Sequence, residues 1–161
     1  MPRYAAVDVG SNSIRLLVAD VDPRGRATPL ISDRQVVRLG TGVFRNGRLC
    51  ESATHLACSV LERMAGRYHD RGVDAVRAVG TSALRDALNQ AEFVGRASTV
   101  LGTPLEVITG LEEARLVHLG VRARWPHTSE RALIVDVGGG SAQLILSENG
   151  RVAGSASLPL G

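Results

Sequence analysis

One segment of this chain occurs twice. Val7-Asp8-Val9-Gly10-Ser11-Asn12-Ser13 and Val135-Asp136-Val137-Gly138-Gly139-Gly140-Ser141 align without gaps, 128 positions apart. Of the twelve positions from Val7 to Val18, six are identical in the second copy. Both copies read as an apolar strand, a tight Asp-x-Gly turn, a serine and a second strand. Self-similarity at a fixed offset constrains a fold more than any local propensity.

The remaining pattern fits around the two hairpins. Tyr4 to Val9 and Ile14 to Asp20 read as strands. Asp22-Pro23-Arg24-Gly25 marks a turn into a third strand, Leu30 to Leu39. Gly40, Gly42, Asn46 and Gly47 read as a loop. From Ser52, a candidate N-cap, apolar residues at Leu56, Val60 and Met64 give helical periodicity as far as Gly72. Ala75 to Val79 is a strand. One helix capped by Thr81 or Ser82 is expected to run through Leu84, Leu88 and Val94 to Val100. Leu105 to Ile108 is a short strand, and a helix from Thr109 to Ala123 ends at Trp125-Pro126. Arg131 to Val137, Ser141 to Leu146 and Arg151 to Leu158 are strands, with a hairpin turn at Glu148-Asn149-Gly150. The predicted order is βββ-α-β-α-β-α followed by βββ, an α/β chain that stops where another helix is expected.

Composition excludes several chemistries. The 161 residues are 44% hydrophobic and 22% charged, as in a soluble globular protein. Only 3% are aromatic, too few for base-stacking platforms, so no DNA or RNA partner is expected. All 19 basic residues are arginines. Without lysine there is no Schiff base, no lysine general base and no complete Walker A loop. The formal charge of +3 suits an anionic partner, and suits equally the solvated faces of an Arg-rich chain. Cys50 and Cys58 make no zinc or redox pattern, and Cys58 reads as a buried thiol. The four histidines do not cluster, and His118 reads as a packed helix residue. No apolar run reaches 18 residues and no signal peptide is present, so a cytoplasmic protein without a membrane partner is expected.

The repeat itself suggests a pair of phosphate loops. Glycines let backbone N–H groups converge on an anion, and a serine hydroxyl adds a donor. Each loop also carries an acid, Asp8 or Asp136, which would repel phosphate unless a divalent cation lies between them. The pattern therefore points to Mg²⁺, which takes one or two carboxylates with substrate phosphates and waters. The bland alternative is two hairpins whose glycines and serines merely turn the chain.

The two hairpins, with Gly80-Thr81-Ser82-Ala83-Leu84-Arg85-Asp86-Ala87 and Gly110-Leu111-Glu112-Glu113-Ala114-Arg115-Leu116, resemble the exopolyphosphatase/guanosine pentaphosphate phosphohydrolase (Ppx/GppA) family. That family belongs to the actin-like ATPase superfamily of sugar kinases, heat-shock proteins and actin. The resemblance covers essentially the whole chain. It implies a ribonuclease H-like, actin-type first domain, βββαβαβα, over residues 1–124. Residues 125–161 would be the opening meander of a second, truncated domain.

The resemblance also implies a hydrolase that uses Mg²⁺ to release terminal phosphate from polyphosphate or guanosine pentaphosphate. Glu113 matches the family's water-activating glutamate. Local physics separates it from its neighbour: Thr109-x-x-Glu112 is a capping box, which spares Glu113 that role. The helix dipole would keep Glu113 ionised. On pattern alone Glu113 is also an ordinary acidic first-turn residue. Arg85 matches a phosphate-clamping arginine, or by pattern a solvated one. Asp136 and Asp8 would hold the metal. Gly138, Gly139, Gly140 and Ser141 would bind phosphate from one side, and Ser11, Asn12 and Ser13 from the other. Arg15 follows the first loop on a strand and ranks below Arg85. The family's second loop commonly continues Ser-x-Glu, whereas this chain has Ser141-Ala142-Gln143. That favours weaker metal binding or slow turnover, and with it the alternative of a polyphosphate or alarmone sensor; the fold itself leaves a further alternative, an ATPase or kinase fragment. Finally, a meander without its covering helix is expected to expose Val135, Ile145 and Val152, and so to promote a homodimer or lower local stability.

Overall fold

The computed structural model describes residues 1–125 and 131–160. Alternating apolar residues build a five-stranded sheet from β1 (Arg3–Val9), β2 (Ser13–Val21), β3 (Ala27–Val36), β4 (Ala75–Gly80) and β5 (Leu105–Val107). The strand order is β3-β2-β1-β4-β5. The first three strands form an antiparallel meander, and β1–β4 and β4–β5 are parallel. The period of two sends Ala5, Val7, Val9, Ile14, Leu16 and Val18 to one buried face. Against it lie α2 (Glu51–His69), through Ala57, Leu61, Met64 and Tyr68, and α4 (Gln90–Leu101), through Phe93, Ala97 and Leu101. Each fully buried aliphatic side chain contributes about 1.5–3 kcal/mol. The buried Tyr68 hydroxyl donates to the Leu101 carbonyl and ties the two helices together.

Two local expectations are corrected. The glycines at 40, 42 and 47 enclose a short helix, α1 (Gly40–Asn46), rather than a loop. Gly47 closes it in the left-handed region, φ 68°, and Gly42 is needed for close approach, since a Cβ there would lie 2.6 Å from the Arg48 carbonyl oxygen. The single helix expected after Gly80 is two, α3 (Ser82–Asp86) and α4. They part at Asn89, whose side-chain amide accepts from the Leu49 N–H at 2.8 Å and donates to the Leu49 carbonyl at 3.1 Å. Thr81 sits at the N-cap of α3 without a side-chain bond, and α2 starts from Cys50, not Ser52.

The chain divides into two compact units, residues 1–107 and 108–161. The second holds α5 (Gly110–Arg124), β6 (Arg131–Val137), β7 (Ala142–Glu148) and β8 (Arg151–Leu158), with β7 central and both pairings antiparallel. Asn149 and Gly150, at φ 49° and 75°, make the turn between β7 and β8. By the sequence repeat α5 ends the first half, with the second starting at Trp125, yet by packing α5 groups with β7 and β8. His118 on its inner face is buried, with Nε2 2.9 Å from Ser147 Oγ. Pro126, the expected helix stop, lies outside the described residues.

The register sorts the second sheet into two faces. Leu133, Val135 and Val137 pair with Leu146, Leu144 and Ala142, and the β6 members of this set are 67%, 55% and 69% exposed. Ile134 and Asp136 pair with Ile145 and Gln143 on the opposite face, the one carrying Ser147 and thus α5. Val135 and Val152 are exposed as expected, but Ile145 is fully buried. The physical reason is parity: residue 145 lies beneath α5, and it is Leu144 and Leu146 that share the face of Val135.

Candidate active site

The two copies of the repeat fold alike. In the first, Gly10 N–H donates to Ser13 O at 3.1 Å. In the second, Gly138 N–H donates to Ser141 O at 2.8 Å. A Cβ at Gly10 or Gly138 would stand 3.1 or 3.2 Å from that same carbonyl oxygen, so the tight turn favours glycine. Among the described residues, no acceptor meets the N–H groups of Ser11 and Asn12, or those of Gly139 and Gly140. Such loops carry the donors that an anion requires.

In the first unit the loop is held from two sides. The Ser11 carbonyl accepts from Gly40 N–H at 2.8 Å, and the Asn12 carbonyl accepts from Val37 and Arg38 N–H at 3.0 and 2.9 Å. Ser11 Oγ accepts from Ala83 N–H at 3.1 Å. That bond joins the loop to α3 and brings the turn bearing the half-buried Arg85 to it. Asp8 lies on β1, opposite Arg15 on β2, which in turn pairs with Arg34 on β3. The face of Arg15, open in the sequence, is therefore the exposed face shared with Asp8. Arg34 Nε donates to Ser13 Oγ at 3.1 Å. Arg38 holds the left-handed region at φ 55°, uncommon for a residue with a long side chain. Neither arginine was expected at the loop, because both lie beyond its motif: strand register brings Arg34 there, and a backbone bond to the Asn12 carbonyl brings Arg38.

In the second unit the equivalent row is Asp136 on β6, Gln143 on β7 and Ser157 on β8. Gln143 is wholly buried, its Nε2 donating to Ser141 Oγ at 2.9 Å and to Ser157 Oγ at 3.5 Å. Its Oε1 is the buried side-chain atom without a hydrogen-bond partner among the described residues. The N-terminus of α5 rests on the same row, because a Cβ at Gly110 would fall 2.8 Å from Ser157 Oγ. Thr109 caps α5, its Oγ1 accepting from Glu112 N–H at 3.2 Å, half of the expected capping box. The Glu112 carboxylate takes both Nε and Nη2 of Arg115, at 2.7 and 2.9 Å. Glu113 follows in the first turn, half-buried. A single unit thus places the helix start bearing Glu113 on the row that leads through Gln143 to the loop serine.

Among the described residues no three of His, Cys, Asp or Glu converge. The donors around Asp136 still fit Mg²⁺, which accepts one carboxylate with neutral oxygens, waters and substrate phosphates. The unpartnered Gln143 oxygen beside Asp136 is a donor atom of that kind. No helix among the described residues is long and apolar enough to cross a membrane.

Comparison with known proteins finds relatives over nearly the whole chain. A family model described as the Ppx/GppA phosphatase family matches residues 17–161. A guanosine-5'-triphosphate,3'-diphosphate pyrophosphatase of Vibrio cholerae is 37% identical over 99% of this chain, which spans 32% of that protein. Among solved structures, an exopolyphosphatase from Cytophaga hutchinsonii superposes with a TM-score of 0.92 at 29% identity. A Ppx/GppA family member from Aquifex aeolicus does so with a TM-score of 0.86 at 32% identity. Each covers 99% of this chain, which spans 51% and 52% of theirs. More distant solved structures, under 20% identical, share the actin-like fold alone.

Proposed function

This chain belongs to the Ppx/GppA phosphatase family, and on that premise we propose that it forms part of a phosphohydrolase releasing terminal phosphate from inorganic polyphosphate or guanosine pentaphosphate. The observation that carries the reading is the seating of α5, which bears Glu113, on the Asp136–Gln143–Ser157 row beside the Gly138–Ser141 loop.

Phosphoryl transfer to water needs an oriented nucleophile, donors on the transferred oxygens and charge neutralisation. Glu113 accepts the proton of the attacking water. Its place at the positive end of a helix favours the carboxylate, the form that takes a proton. The N–H groups of Gly139 and Gly140 and the Ser141 hydroxyl receive phosphate oxygens. Those of Ser11 and Asn12, with Ser13, receive phosphate at the first loop, and Arg85 clamps it. Asp136 in the second unit and Asp8 in the first are the carboxylates that would hold Mg²⁺, which when bound would supply neutralising charge to the phosphates.

A second reading is favoured by Gln143. A neutral amide where the family commonly has a glutamate suits a sensor that binds polyphosphate or an alarmone and turns it over slowly. Phosphate release from polyphosphate, guanosine pentaphosphate and ATP, assayed with Mg²⁺ for the wild type and Glu113→Gln, decides between them. The expected result is release from one of the first two substrates, falling about 10²–10⁴-fold in the variant. Binding without release establishes the sensor, release from ATP alone the kinase-like fragment. Unchanged turnover in Glu113→Gln removes the glutamate from the mechanism.

A further inference from the structure

In the two units the same three positions of the hairpin sheet carry different chemistry. The second unit has Asp136, Gln143 and Ser157, on the face against which α5 packs. The first has Asp8, Arg15 and Arg34, with both arginines exposed. Like charges directly opposite on neighbouring strands destabilise a sheet. The hairpin architecture does not require them, since its second copy does without. Nor do nearby acids account for them. Asp8 is one carboxylate for two cations, and Asp20 and Asp33 are engaged elsewhere, with Arg3 and Arg67.

The pair is also placed with respect to the loop. Arg34 Nε is fixed on Ser13 Oγ, while among the described residues neither its Nη atoms nor the Arg15 guanidinium meet an acceptor. Ser13 and Arg15 are two residues apart on β2, so they share a face about 6.6 Å apart along the strand. Arg34 thus stands at the loop serine Ser13, and Arg15 is its cross-strand partner on the same exposed face, next to the N–H groups of Ser11 and Asn12 in sequence. Guanidinium binds phosphate bidentately and stays charged at every working pH.

We propose that Arg15 and Arg34 form a guanidinium shelf for the inner phosphates of a linear polyphosphate whose end lies at the first loop. The shelf rests on the phosphohydrolase reading for its role, but its test is a binding measurement. In EDTA, which prevents turnover, long-chain polyphosphate and pyrophosphate are titrated by calorimetry over a series of salt concentrations. The proteins are wild type, Arg15→Gln, Arg34→Gln, the double variant and the two lysine variants. By analogy with nucleic acids, each lost cation contact lowers the slope of log affinity against log salt by about 0.7–0.9. Long-chain affinity falls about three- to ten-fold per glutamine substitution, and pyrophosphate affinity less than about two-fold. The lysine variants keep the slope, and the thermal midpoints of the glutamine variants hold or rise, because a repulsive pair has been removed. An unchanged slope, or an equal loss for pyrophosphate and the long chain, overturns the shelf. So does single-stranded DNA of matched charge binding as tightly with the same dependence on both arginines. Absence of phosphate release from every substrate would sink the hydrolase reading while leaving this measurement intact.

Discussion

At the scale of single residues, Gln143 is the position at which the proposed Mg²⁺ site can be tested. A buried acceptor without a partner costs about 1–3 kcal/mol, so its retention at the Asp136 row calls for a ligand or bound water there. Gln143→Glu would put a second carboxylate directly opposite Asp136. We expect about ten-fold tighter Mn²⁺ or Mg²⁺ binding, read by Mn²⁺ paramagnetic resonance without any assay of turnover. The variant also has a pH signature. Burial and Asp136 raise the folded pKa of the new carboxyl above its unfolded value of about 4.3. Its metal-free stability is then greatest below that value and falls as pH rises through the folded pKa, and Mg²⁺ restores it at neutral pH. Metal affinity equal to wild type in a folded variant, together with flat metal-free stability between pH 4 and 7, would show that the row does not meet a cation.

At the scale of elements, the seating of α5 separates stability from function. A methyl group at Gly110 would press on Ser157 Cβ and Oγ, both 2.8 Å from the ideal Cβ, so Gly110→Ala must lift the helix start. A displacement of about 1 Å at a reacting centre costs on the order of 10²-fold in rate. Thr109→Ala removes only the cap, about 1 kcal/mol of stability, and leaves the helix in place. Gly110→Ala should therefore lose far more phosphate release than Thr109→Ala at a similar melting temperature, and Ser157→Gly in the same chain should restore part of it. Equal kinetic losses in the two single variants would mean that α5 position is irrelevant to turnover. What could be read from the sequence at this scale follows the same physics. Both hairpins and the α5 cap were legible because turn glycines, the Asp-x-Gly repeat and Thr109-x-x-Glu112 act within a few residues. Helix α1 was not, because Gly42 answers to the distant constraint of the Arg48 carbonyl. The break between α3 and α4 was not, because Asn89 is recruited by the backbone of Leu49, 40 residues earlier. Arg34 reached the candidate site only through pairing of β2 with β3, which periodicity alone cannot register.

At the scale of the molecule, the two units are unequally built. The large hydrophobic cluster, from Ala5 to Leu105, lies entirely within residues 1–107. The second unit keeps Ile108, Ala114, Ala142 and Ile145 buried, with His118, Ser141, Gln143 and Ser147 as buried polar residues. Its other face shows Leu133, Val135, Val137 and Leu146. Contiguous apolar residues on a sheet face favour association, and sparse burial lowers the free energy of local opening. Native-state hydrogen exchange should therefore rank the strands. Amides of β1, β2 and β4 exchange last, those of the outer strands β6 and β8 first, and the central β7 in between. Raising protein concentration should slow exchange in β6 while leaving β1 unchanged, as two copies cover that face. Val135→Lys should abolish the concentration dependence without altering β1, because it charges the face and leaves the first core untouched. Uniform protection across both units at every concentration, with a monomeric mass by light scattering, would show that the exposed face has no tendency to pair and that the second unit is as stable as the first.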